Sequence, residues 1–361
     1  MKKVKLIAGV RDTEIVSGGF TAPKGFKISD FPGGAIFTTV RPMMSAIVAN
    51  TNSFRGGYLS KCIVRARKRQ TERFIIAFDA AGLTEKYSTK PKERMKVFTK
   101  GSRIKEEETL ILTLPYESEE KKAKILSGED GFALSFSLGD DYPCVVGGFA
   151  LGSIAEMDKP RCALLTTDVK IRKPLLESAL KSAVRDSFLM LEGGNGPLDC
   201  FYAVSSCSAE NAVLAEKDTE YEKFVKALRF VAEELARRIA SSGGKKLLKI
   251  TVKGATSKQA AKIVVRNAFA RGGVANWNEK TFADGALEAI ATTGLPLHKE
   301  YVSVCVVSSF GRLFVVDRGF PLPVSARMLE EHRNADDIEV VMNIGIGNFF
   351  ASGWTYIREK I

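Results

Sequence analysis

The sequence predicts an α/β protein with a large first domain and a smaller second one. Three observations carry this. Near-continuous apolar runs bounded by turn residues, Phe74–Ala81 before Gly82 and Thr109–Leu114 before Pro115, have the pattern of strands buried on both faces. Phe224, Leu228, Val231, Leu235 and Ile239 recur in steps of 4, 3, 4 and 4 residues, the stripe of an amphipathic helix over Glu222–Ala240. Beyond the break at Ser241-Ser242-Gly243-Gly244, strand and helix patterns alternate to the end. A chain of 361 residues exceeds one small core, so the domains are drawn at 1–244 and 245–361.

The elements follow in order. The N-terminal residues Met1–Val16 suit a first strand better than a signal peptide, since Arg11 and Asp12 break a short apolar patch. Pro23-Lys24-Gly25 reads as a turn. Ala35–Thr39 and Ser45–Asn50 read as strands on either side of Arg41-Pro42, and Tyr58–Ala66 fits helix or strand. Pro91–Lys105 is basic and expected as an exposed helix or loop, and Glu117–Ser127 as a short polar helix. Phe132–Leu138, Val145–Ala150 and Ala163–Leu165 are strand patterns, the last two flanking a charged loop. Arg172–Leu191 is a helix pattern, with Pro174 in its first turn and Leu176, Leu180, Ala183, Val184 and Phe188 on one face. A strand at Phe201–Cys207 precedes the long helix. Strands at Leu248–Val252, Tyr301–Ser308, Leu313–Asp317 and Ile338–Ile344 then alternate with helices at Lys258–Phe269, Phe282–Ala291 and Val324–His332. Gly345-Ile346-Gly347 is a lone GxG, a weak phosphate-loop signal.

Composition narrows the function. At 45% hydrophobic residues the chain is globular, and no run approaches the roughly 18 apolar residues of a membrane span. Six cysteines are scattered without a CxxC pair, so a disulfide framework is not expected and a reduced cytoplasmic setting is. His298 and His332 are the only histidines, leaving few ligands for a metal. The net charge of +12 favours anionic partners and is concentrated in Arg65–Arg69 and Lys86–Lys105. These runs match no nucleic-acid motif. A solvated basic face, or attraction of an anionic substrate, is therefore preferred to binding of nucleic acid.

Several segments are collinear with one known family. Thr21-Ala22-Pro23-Lys24-Gly25-Phe26, Thr51-Asn52 with Gly56-Gly57, Gly147-Gly148-Phe149-Ala150-Leu151-Gly152-Ser153 and Thr166-Thr167-Asp168 come first. Asp186-Ser187-Phe188, Gly254-Ala255, Asn276-Trp277 and Trp354 follow. Together they resemble the ornithine acetyltransferase (glutamate N-acetyltransferase) family of arginine biosynthesis. The resemblance implies a layered αββα-like sandwich followed by a smaller α/β domain. It also implies a small-molecule amino-acid substrate, a homo-oligomer of paired chains, and neither organic cofactor nor metal.

The resemblance implies, too, the chemistry of an N-terminal nucleophile. Such a precursor cuts itself before a threonine in the loop ahead of Thr166-Thr167-Asp168. The freed residue takes an acetyl group from N-acetylornithine and passes it to glutamate. Its own new α-amino group serves as base, and hydrogen-bond donors must wait where the oxyanion forms. Here the loop reads Met157-Asp158-Lys159-Pro160-Arg161-Cys162. Counting back from Thr166 puts Pro160 at the nucleophile position, and a two-residue slide that preserves strand facing brings Cys162 there. Cys162 is thus the candidate nucleophile, with cleavage between Arg161 and Cys162. From the residues alone, a small buried residue at a strand start is the preferred reading of Cys162. Thr113 is the candidate oxyanion donor, and Thr166, Gly152 and Ser153 are candidates for the substrate wall. Leu151 replaces the family's lysine, and Ser242 its acidic residue. The alternative is a family member without catalysis, repurposed for binding or assembly.

Overall fold

A computed structural model of the chain describes residues 10, 13–15, 19–31, 34–39, 47–50, 62–67, 73–78, 109–115, 119–139, 142–155, 161–193, 199–242, 246–270, 274–277, 281–295, 298–345 and 347–358. The segments Thr51–Gly57, Asp79–Gly82, Pro91–Lys105 and Asp158–Pro160, to which the sequence assigns roles, lie outside these.

In chain order the strands and helices begin with β1 (Glu14–Ile15), β2 (Phe26–Phe31), β3 (Gly34–Thr39), β4 (Ile47–Asn50), β5 (Cys62–Arg67), β6 (Arg73–Phe78) and β7 (Thr109–Pro115). Helix α1 (Glu119–Ser127), β8 (Gly131–Leu138), β9 (Tyr142–Leu151), β10 (Cys162–Thr167), α2 (Lys173–Asp186), β11 (Cys200–Ser205) and α3 (Thr219–Ser241) follow. The remainder is β12 (Leu247–Ala255), α4 (Lys258–Ala270), α5 (Phe282–Ala291), β13 (Ser303–Ser308), β14 (Gly311–Asp317), β15 (Phe320–Pro321), α6 (Ala326–Arg333), β16 (Ile338–Asn343) and β17 (Phe349–Tyr356). The protein is α/β, as the sequence predicts.

The chain divides into two compact units. One comprises Met1–Gly152, Asp158–Arg185 and Gly196–Leu235; the other comprises Ser153–Met157, Asp186–Asn195 and Ala236–Ile361. Where the sequence draws a boundary at Gly244, the contacts divide inside α3. The reason lies in what each part of that helix touches. Phe230 packs on Phe132 of β8, with ring centroids 6.0 Å apart, whereas Arg237 reaches Asp337 at 3.1 Å.

The first unit holds two sheets. One has the order β1-β8-β9-β10-β11-β4, and the other β2-β3-β7-β6-β5. Within the first sheet β10 and β11 are parallel, running in register from Cys162 opposite Cys200 to Thr167 opposite Ser205. Parallel neighbours need a crossover, and α2 supplies it. Its apolar stripe, Leu176, Ala179, Leu180, Ala183 and Val184, is buried. Helix α3 lies beside it, with Tyr221 Oη donating to the Leu175 carbonyl at 3.1 Å. In the second sheet the two continuous apolar runs expected to be strands pair with each other, Phe74 with Leu110 through Ala77 with Thr113, in parallel.

The glycine-rich end of β9 is a packing notch. A Cβ on Gly148 would stand 2.3 Å from the Leu164 carbonyl oxygen and 3.1 Å from Leu235 Cδ1 of α3. A Cβ on Gly147 would stand 2.9 Å from the Phe20 ring, which packs on Phe149 at 4.5 Å. The two glycines thus admit a helix side chain on one face and the N-terminal Phe20 on the other.

The second unit is a sheet of order β15-β14-β13-β16-β12-β17, with β12 and β16 parallel. Trp277 is buried against Phe282 and donates its indole N–H to the Leu329 carbonyl at 3.3 Å. The helix expected over Arg172–Leu191 stops at Asp186, and Phe188–Met190 continues as a 3₁₀ turn. Asp186 is anchored here by Lys258 at 2.5 Å and Lys262 at 2.8 Å. Strand β17 escaped the sequence reading, because Phe349-Phe350-Ala351-Ser352-Gly353-Trp354 does not alternate. Gly353 occupies a place where a Cβ would fall 2.5 Å from the Met190 carbonyl oxygen. Gly347 serves a close approach of two chain segments. The Gly347 N–H donates to the Gly254 carbonyl at 3.0 Å, and a Cβ there would meet the Ala255 oxygen at 2.0 Å.

Gly148→Ala should therefore lower stability by about 1–3 kcal/mol through overpacking. Urea unfolding followed by circular dichroism measures it; an unchanged midpoint would show that β9, β10 and α3 do not pack this closely.

Candidate functional site

The site is built on the two ends of β10. At its start, Cys162 pairs with Leu151 of β9 and with Cys200 of β11. Gly152, with φ of +113°, turns the chain out of β9 in a conformation that side-chain-bearing residues rarely adopt. Ser153 falls in the second unit, where its hydroxyl accepts the Ala155 N–H at 3.1 Å. Arg161, one residue ahead of Cys162, is 6% exposed. Its N–H donates to Asp199 Oδ1 at 2.8 Å, and its Nε and Nη2 donate to Asp199 Oδ2 at 3.1 and 2.8 Å. The register explains the meeting, because Asp199 directly precedes Cys200 just as Arg161 precedes Cys162.

Thr166 lies four residues further along, about 13 Å at roughly 3.3 Å per residue. It is buried, and its hydroxyl donates to the Gly147 carbonyl at 3.3 Å. Past the strand end, Asp168 is 3% exposed. Its Oδ1 accepts the Val145 N–H at 2.9 Å and its Oδ2 the Lys24 N–H at 3.3 Å. The Lys24 carbonyl in turn accepts the Ser206 hydroxyl at 2.6 Å, and the Ser206 N–H donates to the Thr167 carbonyl at 2.8 Å. Gly25, with φ of +90°, approaches so closely that a Cβ would stand 2.6 Å from Ser208 Oγ. The N-terminal Thr21–Phe26 motif, the Thr166-Thr167-Asp168 motif and the turn after β11 therefore converge on one carboxyl group.

Burial pushes the Asp168 pKa up to about 6, against the pull of the Val145, Lys24 and its own backbone N–H groups and of the Lys24 charge. Cys144 is pushed up to about 12 by burial and by the nearby Asp168 charge, which keeps it a neutral thiol. Cys305 is raised by burial as well. Among the described residues no group of three or more His, Cys, Asp and Glu side chains could hold a metal ion, and no helix is long and apolar enough to cross a membrane.

The candidates from the sequence are thus distributed. Arg161, Cys162 and Gly152 adjoin one end of the β9–β10 pair, and Thr166 lies toward the other. Thr113 sits in β7 of the other sheet, paired with Ile36 and Ala77. Sequence reasoning missed Asp199. No motif marks it, and only the parallel register brings it to Arg161.

The ArgJ family model matches residues 132–356, well over half of the chain. The chain belongs to the ArgJ family. This is the family that the collinear motifs resemble, and the match takes in β9, β10 and both residues of the buried Arg161–Asp199 pair. The arginine biosynthesis bifunctional protein ArgJ of Caldanaerobacter subterraneus is 24% identical over 94% of this chain and 96% of its own length. The protein of the same name from Oceanobacillus iheyensis is 28% identical over 58% of this chain and 52% of its own length, so the match spans about half of that relative. Among solved structures, the ArgJ protein of Bacillus halodurans aligns at 24% identity with a TM-score of 0.46, covering 54% of this chain and 93% of that one.

The raised pKa of Asp168 sets a pH dependence. The folded carboxyl holds its proton above the ordinary value of 3.8, up to about 6. Its contribution is therefore full below pH 3.8 and is lost as pH rises through 6, by about 3 kcal/mol across that window at 1.36 kcal/mol per pH unit. Comparing urea unfolding of the wild type and Asp168→Asn from pH 4 to pH 7 should show this component of the slope gone in the variant. Equal slopes would contradict the burial of this charge.

Proposed function

We propose that the chain is an acyltransferase of the ornithine acetyltransferase type, acting in arginine biosynthesis through a self-generated N-terminal nucleophile, Cys162. In the first step the Cys162 thiol attacks the Arg161 carbonyl carbon. The C–N bond to Cys162 breaks, the thiol proton passes to the departing amine, and a thioester forms. Water hydrolyses that thioester, leaving a carboxylate on Arg161 and a free α-amine on Cys162. In transfer, the α-amine takes the thiol proton as sulfur attacks the acetyl group of an N-acetylornithine-like donor. The ornithine amine leaves with a proton, and the amine of glutamate or another acceptor then takes the acetyl group from sulfur.

The observation that carries this reading is the family match, which runs through the whole β9–β10 region. The position of Cys162 at the first residue of β10, directly after the loop, supports it further. A new chain terminus there would begin at a strand edge whose far end is held in the sheet. Thr113 acts in this reading as an oxyanion donor. Gly152, at the end of the β9–β10 pair where β10 begins, lines the amino-acid substrate in this reading. The basic balance of the chain, +12, favours an anionic acceptor such as glutamate. The enzyme works in the cytoplasm as a homo-oligomer of paired chains, without organic cofactor or metal.

Intact mass of the purified protein should show fragments 1–161 and 162–361. Cys162→Ala should abolish the cut and reduce acetyl transfer from N-acetylornithine to glutamate to the background rate. A single uncleaved chain without transfer would sink the proposal and leave a binding or assembly role.

A further inference from the structure

We propose that Asp199 is a positioning residue for self-cleavage, holding Arg161 so that its carbonyl is presented to the nucleophile that follows it. The inference rests on the reading above, in which the Arg161–Cys162 bond is cut.

Two features of the geometry lead there. The first is the double hold on a single residue. Asp199 takes the Arg161 backbone N–H at 2.8 Å through one oxygen and two guanidinium nitrogens, at 2.8 and 3.1 Å, through the other. A side-chain fork alone would fix the end of a long flexible arm. The added backbone bond fixes the main chain on the N-terminal side of the peptide to be cut. On the other side, the β10 ladder begins at Cys162, which pairs with Leu151 and Cys200. The Arg161–Cys162 peptide is therefore clamped between a charge-assisted anchor and a sheet. This restriction of rotation favours attack of one residue on the carbonyl of its neighbour.

The second feature is burial. The side chains of Arg161 and Asp199 are 8% and 2% exposed. A buried ion pair carries a desolvation penalty of several kcal/mol per ion, and apolar residues of similar volume often stabilise a fold as well or better. Stability is thus a weak reason for a charged pair at this place. A carboxylate that takes the guanidinium on one oxygen and the main-chain N–H on the other instead offers a fixed relative geometry. Its location, one residue from the strand start and in register across parallel strands, is where fixed geometry matters to the cut.

The chemistry assigned to Asp199 involves no proton or bond of the reaction. It accepts hydrogen bonds before and during attack, and acts only through Arg161.

The test follows cleavage of freshly expressed full-length chain by intact mass, for the wild type, Asp199→Asn and Asp199→Glu, with thermal unfolding of each. Asparagine can still accept the Arg161 N–H but turns an NH₂ group toward the guanidinium. Cleavage of Asp199→Asn should slow by at least about tenfold, equivalent to about 1.4 kcal/mol of activation free energy. Asp199→Glu, which keeps the carboxylate, should recover most of the rate. If the wild type is not cut, the proposed function loses its cleavage step and this inference falls with it. If the wild type is cut and Asp199→Asn matches it within twofold, this inference alone is overturned. Slowing that tracks a lowered unfolding temperature, without recovery in Asp199→Glu, would also overturn it. Should Asp199→Asn fail to fold, Arg161→Lys keeps the charge but loses the fork. It should cleave more slowly than the wild type, and an equal rate would refute the proposal.

Discussion

Parallel pairing of β10 with β11 is the constraint on which the organisation of the first unit depends. Hydrogen bonding in register over six residue pairs fixes both ends of the pair at once. At one end it brings Arg161 to Asp199; at the other it brings the Thr167 carbonyl to the Ser206 N–H and places Asp168 beneath the N-terminal Lys24. Parallel pairing also requires α2, and α2 in turn gives α3 a surface to pack on. A shift of one residue would reverse the facing of every side chain and separate all three.

Four buried carboxylates among the described residues tie separate segments together. Arg161–Asp199 ties two strand starts together. Asp186 receives Lys258 and Lys262; burial works to raise its pKa, and the two ammonium groups hold it below the ordinary value. Glu192 accepts the Thr355 hydroxyl and the Arg358 guanidinium, joining the end of β17 to the turn after the 3₁₀ segment. Asp168 differs, since backbone N–H groups supply its hydrogen bonds and its pKa stays raised. Pairs of this kind specify which segments meet, while the apolar stripes of α2 and α3 supply the cohesion.

The candidate site was legible in part. The Gly147-Gly148 pair and Thr166-Thr167-Asp168 stand out in the sequence, and in the fold they meet across β9 and β10, with Thr166 opposite Gly147. Their local roles are concrete: the glycines make room for Phe20 and Leu235, and Asp168 holds the Lys24 segment. Cys162 is the first residue of β10, one ahead of the strand pattern Ala163–Leu165. Asp199 was not legible, because an isolated aspartate ahead of an apolar run carries no periodicity and no motif.

By itself the sequence determined the α/β class, the positions of most strands and helices, and the family. Side-chain periodicity and short collinear motifs are local properties, and they survive without knowledge of contacts. Strand β17 and the early end of α2 were decided by the tertiary structure. Gly353 is required by its closeness to Met190, and Asp186 is held by lysines 72 and 76 residues away. The partnership of Arg161 with Asp199 across 38 residues belongs to the same class. Such contacts depend on which strands pair and in which direction, and that follows from how the helices cover the sheet, not from any single stretch of chain.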